Sequence, residues 1–154
     1  MSSLELLFTN DKAGFIDSIK FEQLVKPLSS QISIHRICEE GGFVKYAENY
    51  IIPASSALFN LLEDEFMIKT LQYNILKIGT RHESTQVRIV AARLVMRVVD
   101  LLGQRYVAFL NDLVPFLSEM LDDEETEVSI ISKNIVKNLQ QHTTDDIMKI
   151  MQNT

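Results

Sequence analysis

The chain has 154 residues, 46% of them hydrophobic and 23% charged, with a formal net charge of −6, one cysteine and no tryptophan. That is about one domain's length, able to bury roughly two-thirds of its unfolded surface without a metal or a disulfide. The lone Cys38 excludes a disulfide framework and a multi-cysteine zinc site. The longest charge-free stretch, Asn49 to Leu62, is shorter than the roughly 18 residues of a membrane span.

Residues 1–17 are the least regular; Leu4, Leu6, Leu7 and Phe8 open either a helix or a short extended piece. The start, MSSLELLF, lacks the positive region of a secretory signal, so cytosol or nucleus is expected. Ile19 to Ile32 reads as a helix interrupted by Pro27. Gly41-Gly42 is a break, and Phe43 to Leu62 reads as a longer helix interrupted by Pro53. Phe66 to Thr80 is another, with Leu71, Ile75, Leu76 and Ile78 apolar. Val87, Val90, Ala91, Leu94, Val95, Val98 and Leu102 then recur at spacings of three and four, a wide helical stripe. Arg88, Arg93, Arg97 and Asp100 fall largely off it. Ser84 or Thr85 suits its N-cap, and Gly103 suits a left-handed residue just past its end.

A helix from Tyr106 to Leu121 follows, with Pro115 expected to kink it. The acidic run Asp122 to Glu127 breaks the pattern. The next helix carries Val128, Ile131, Ile135, Val136 and Leu139 on one face, and Asp145-Asp146 opens a last short turn. Period-two strands and Asn-Gly or Asp-Gly hairpin turns are absent from the sequence. The expectation is an all-α chain of about six or seven helices.

The pattern repeats. An offset of 41 places Val87 on Val128, Leu76 on Leu117, Ile75 on Phe116, Thr85 on Thr126, Ala91 on Ser132 and Val95 on Val136. That offset lies in the range of HEAT and armadillo units. LVPFLSEMLDDEETEV, residues 113–128, resembles the first helix and turn of a HEAT repeat, and VRIVAARLVMRVVDLL, residues 87–102, resembles a second helix. Ser129 replaces the arginine that usually follows the valine, and the turn from Arg81 to Gln86 lacks the usual aspartate. The fold expected is a HEAT/armadillo-type helical-repeat solenoid. Residues 1–17 would be a poorly defined segment or a cut repeat edge, 18–65 a divergent repeat region, 66–105 a HEAT-like repeat, and 106–154 a HEAT-like repeat with a C-terminal cap.

Residues 20–141 resemble one family more closely. The resemblance rests on the helix with IIP, on LQYNIL followed by arginine and VR..A, on the G..Y..FL...VPFL.E...D spacing and on the acidic turn. The family is that of the very large HEAT-repeat protein of the small-subunit processome, associated with the U-three small nucleolar RNA, and its C-terminal end is the part resembled. It implies a non-enzymatic nucleolar scaffold for pre-rRNA processing. It also implies WD-repeat protein partners, with pre-rRNA or snoRNA as further candidates, and neither a membrane nor a small-molecule substrate. A HEAT adaptor of another pathway, in transport or phosphatase scaffolding, is the alternative.

The residues themselves point to no cofactor, metal or catalytic site. His35, His82 and His142 are dispersed and form no H-E-x-x-H pair, and Cys38 has no motif around it. Gly41-Gly42 lacks the Gly-Lys-Ser/Thr of a phosphate loop. Asp122, Asp123, Glu124, Glu125 and Glu127 lack EF-hand spacing and suit a helix start. Charge is the informative polar feature. Residues 1–65 carry five basic and ten acidic side chains, residues 66–105 seven and two, and residues 106–154 three and nine. Two readings stay open. Arg88, Arg93 and Arg97 form a strip that binds RNA phosphates or an acidic partner, or they pair with acids of adjoining repeats such as Asp122 and Asp123.

Overall fold

A computed structural model describes residues 2–34 and 42–152. Nine α-helices lie within them, seven of nine residues or more: α1 (Ser2–Asn10), α2 (Ser18–Ser30), α3 (Gly42–Tyr46), α4 (Ile52–Leu61), α5 (Glu65–Gly79), α6 (Thr85–Leu102), α7 (Leu110–Leu121), α8 (Thr126–Gln140) and α9 (Ile147–Gln152). No strand occurs among the described residues. The expectations for His35, Cys38, Glu39, Glu40 and Gly41 lie outside them.

Local chemistry sets the helix starts. The carboxylate of Asp17 accepts the Lys20 N–H at 2.9 Å, that of Asp64 the Met67 N–H at 3.0 Å, and that of Asp146 the Lys149 N–H at 3.2 Å. Pro27 and Pro53 act differently from expectation. Pro27 does not end α2, which runs on to Ser30 and into a 3₁₀ turn over Gln31–Ser33, while Ser30 and Gln31 side chains bond back to the Pro27 carbonyl. Pro53 sits in the first turn of α4, directly after a π-helical turn over Ala47–Ile51 that joins α3 to α4. Widening the turn before a proline relieves the clash between its ring and the preceding carbonyl. Pro115 lies within an unbroken α7. The irregularity falls upstream, in a 3₁₀ segment over Gly103–Phe109, so the helix read from Tyr106 begins at Leu110. Gly103 has φ +50° and ψ −125°. The positive φ was legible, but the residue is not in the left-handed helical region.

The helices stack in two rows. One runs α1, α4, α6, α8 by successive contacts; the other runs α2, α5, α7, α9. Within a repeat the rows join as α5 on α6 and α7 on α8. The apolar stripes meet between the rows, where Leu71, Leu76, Val87, Val90, Leu113, Leu117, Val128, Ile135 and Leu139 are all fully buried. A stack of helical hairpins sharing one core is the architecture of a solenoid.

The 41-residue offset survives in three dimensions. Thr85 and Thr126 each open a helix. Val87 and Val128, Leu76 and Leu117, and Ala91 and Ser132 are buried as pairs. The small residue at Ala91 has a visible reason. A Cβ added to Gly79 would lie 2.3 Å from the Ala91 Cβ, so α5 and α6 approach closely at this point. Farther along, the buried Tyr106 hydroxyl donates to Gln72 Oε1 at 2.6 Å and ties the 3₁₀ segment to α5. Burial in that apolar setting pushes the phenol pKa far up.

Candidate functional site

Residues 66–105 form a basic stretch between two acidic ones, and all of its cations but Arg97 have a partner among the described residues. On the α5/α7 side Lys69 pairs with Asp112 at 3.3 Å, and the Arg81 guanidinium donates to both Glu119 oxygens, Nε to Oε2 at 2.9 Å. Tyr73 meets Phe116 edge-on between them, with the Lys77 ammonium over the Tyr73 ring. The Arg81 bond holds the Glu119 carboxyl below its ordinary pKa. Arg105 donates to the carbonyl of Leu62, where α4 ends.

Arg88 is the most embedded cation. The apolar stripe places it off the core, yet its side chain is only 9% exposed and Asp123 beside it 7%. Its Nε donates to Asp123 Oδ2 at 2.8 Å and its Nη2 to Asp123 Oδ1 at 3.2 Å, a two-pronged pair. Nη2 also reaches Glu124, and Nη1 donates to the His82 carbonyl at 3.0 Å. One guanidinium thus joins the α5–α6 turn to the α7–α8 turn. The other oxygen work of Asp123 is to accept the Glu125 N–H, and Glu125 in turn is the N-cap of α8. The acidic run therefore serves helix starts and repeat packing together. Asp122 forms no side-chain bond among the described residues.

Arg93, between α4 and α8, donates to Glu48 and to Glu127. Burial works against its charge, but the two carboxylates outweigh it and raise its pKa. Arg97 is exposed and makes no hydrogen bond or ion pair among the described residues. The structure thus separates the three arginines of the strip: Arg88 is enclosed, Arg93 is bridged, and Arg97 is open. Arg93 and Arg97 share a groove of about 550 Å³ with Glu48, Ile52, Pro53, Met96, Asp100, Glu127 and Ile131. Periodicity placed Arg88 off the core and missed its enclosure, whereas the reading that paired these arginines with acids such as Asp123 holds for Arg88.

Chemistry elsewhere is sparse. His82 accepts the Ser84 N–H at 3.0 Å, and His142 lies against Gly103, so the two flank opposite ends of α6. No group of three or more potential metal ligands occurs among the described residues. No described helix is long and apolar enough to cross a membrane.

Eight curated proteins resemble the chain. The HEAT repeat-containing protein 1 homolog of Dictyostelium discoideum is 28% identical over 142 residues, 92% of this chain and 6% of that protein. HEAT repeat-containing protein 1 of Homo sapiens is 29% identical over 140 residues, 91% of this chain and 6% of that protein. The U3 small nucleolar RNA-associated protein 10 of Debaryomyces hansenii is 26% identical over 137 residues, 87% of this chain and 7% of that protein. The chain thus corresponds to a small fraction of each relative's length. No family model matches, and no solved structure matches. The homology and the two-row stack together make the chain a HEAT-type helical-repeat solenoid.

Proposed function

We propose that this chain is a non-enzymatic scaffold segment, the C-terminal part of a nucleolar protein of the small-subunit processome that supports pre-rRNA processing. The observation that carries the reading is the homology, over nine-tenths of the chain, to HEAT repeat proteins, with relatives named for association with U3 small nucleolar RNA. The geometry supports a docking role over a chemical one. Stacked helices share a core, and charged side chains engage one another across repeats where a pocket of titratable groups would be needed for catalysis. WD-repeat subunits of a pre-ribosomal subcomplex are the proposed partners.

Direct RNA contact through Arg88, Arg93 and Arg97 is the weaker proposal, because two of the three are already neutralised by carboxylates. Of the three, Arg97 alone has no ion-pair partner among the described residues.

Affinity purification of the tagged full-length protein tests the reading. Recovery of small-subunit pre-ribosomal proteins is the expected result, and their absence from a purification that yields another pathway's components overturns it.

A further inference from the structure

We propose that the groove across α1, α4, α6 and α8 docks an extended, lysine- and arginine-rich segment of a partner protein. The inference deepens the scaffold reading and rests on it. Two open clefts meet at Pro53 and Arg97. One is the cleft already described; the other, of about 540 Å³, continues over α1 and α4 past Glu5, Phe8, Asp11, Ala57, Glu63 and Leu101. Together they cross all four helices of one row. The floor of the first cleft is apolar, with Ile52, Pro53, Met96 and Ile131, while the second is mixed, with Thr9, Ser56 and Asn60 beside Phe8 and Ala57. Aliphatic stems of long side chains pack well on such a floor while their charged ends reach the rim.

The rim decides the partner's charge. It carries Glu5, Asp11, Glu48, Glu63, Asp100 and Glu127 against Arg93 and Arg97 only. Arg93 lies between Glu48 and Glu127, so that trio retains one negative charge. The Asp11 carboxyl is held below its ordinary pKa by the N–H groups of Ile16 and Phe15, and stays ionised. An RNA backbone would meet net repulsion here, and a basic segment attraction.

Spacing decides the partner's form. Acids line the row from end to end: Glu5 from α1, Glu48 from the π turn before α4, Asp100 from α6 and Glu127 from α8, with Glu48 and Glu127 brought together on Arg93. Packed helices lie roughly 8–10 Å apart. A polyproline-like chain advances about 9 Å in three residues and returns to the same side. An extended segment of about nine residues is long enough to span the row, and a cation at every third residue keeps its charges on the side that faces the groove. Arg97, at the junction of the clefts, opposes one such cation and acts as a specificity residue.

The test is fluorescence anisotropy of this chain with a labelled nine-residue peptide, Arg-Ser-Ser three times over. An acidic counterpart, Glu-Ser-Ser, and a nine-nucleotide single-stranded RNA serve as competitors. Expected are salt-sensitive binding of the basic peptide alone, weakening by about fivefold in Glu5→Gln with Glu63→Gln, and tightening in Arg97→Glu. Glu63 and Arg97 are exposed and Glu5 is half-buried, and circular dichroism confirms that each variant is folded. Absence of peptide binding, equal binding of either competitor, or affinity indifferent to these substitutions overturns the groove. If the purification of the full-length protein still recovers pre-ribosomal proteins in that case, the scaffold reading stands and the groove alone falls.

Discussion

Replacing Arg88 by alanine should destabilise the chain more than any other single loss of charge. The guanidinium is nearly enclosed, and Asp123 is as well. Removing the cation leaves the Asp123 carboxylate buried with the Glu125 N–H as its remaining bond partner here, and strips the His82 carbonyl of a donor. Breaking a buried ion pair from one side costs about 3–5 kcal/mol, a large part of the roughly 5–15 kcal/mol that holds a domain folded. For a chain of this size that lowers Tm by roughly 6–20 °C. The assay is thermal and urea unfolding, with Arg97→Ala as the control, since Arg97 is exposed and without a partner. The control should lie within about 0.5 kcal/mol of wild type. A second variant, Arg88→Met with Asp123→Leu, removes both charges and should recover most of the loss, because an apolar pair of similar volume fills the site without a desolvated charge. If Arg88→Ala unfolds within about 1 kcal/mol of Arg97→Ala, the claim that this pair clamps the repeats is wrong.

Gly79→Ala should cost about 1–3 kcal/mol in urea unfolding, because the new Cβ would lie 2.3 Å from that of Ala91 and the helices must part; a neutral result would mean that α5 and α6 do not pack as described. Tyr106→Phe keeps the ring but leaves Gln72 Oε1 buried without its donor, and a loss of about 1–3 kcal/mol is expected by the same measurement. The Glu119 carboxyl has a lowered pKa in the fold, so its contribution is complete above its unfolded value of about 4.5 and is lost as pH falls through the folded one. The stability gap between wild type and Glu119→Gln should therefore close in acid; a gap constant from pH 7 to pH 3 would contradict the Arg81–Glu119 pair.

Much of the fold was legible because helical periodicity is a local signal. The stripe of Val87, Val90, Leu94 and Val98 and its copy at Val128, Ile135 and Val136 mark the faces that are buried. The offset of 41 relates the two helix starts to each other, Thr85 to Thr126. Pro27 and Pro53 act otherwise than their positions suggested because their effect depends on what precedes them: α2 passes through Pro27, and a π turn comes before Pro53. Of the charge pattern, the sequence offered the composition and two explanations. Choosing between them needed partners such as Arg88 and Asp123, or Lys69 and Asp112, which no short window contains. The groove was hidden for the same reason, since its six acids are spread over helices, turns and loops from Glu5 to Glu127.

The central proposal is that Arg88 and Arg93 engage carboxylates of neighbouring helices rather than RNA phosphates. The most direct measurement is the salt dependence of binding to a labelled single-stranded RNA of twenty nucleotides, for wild type and a folded Arg93→Glu, Arg97→Glu variant. Engaged arginines predict weak binding, with a slope of log K against log salt no steeper than about −0.7, the value for one phosphate contact, and no change in the variant. A slope near −2, as three phosphate-bound arginines would give, that flattens in the variant would contradict it.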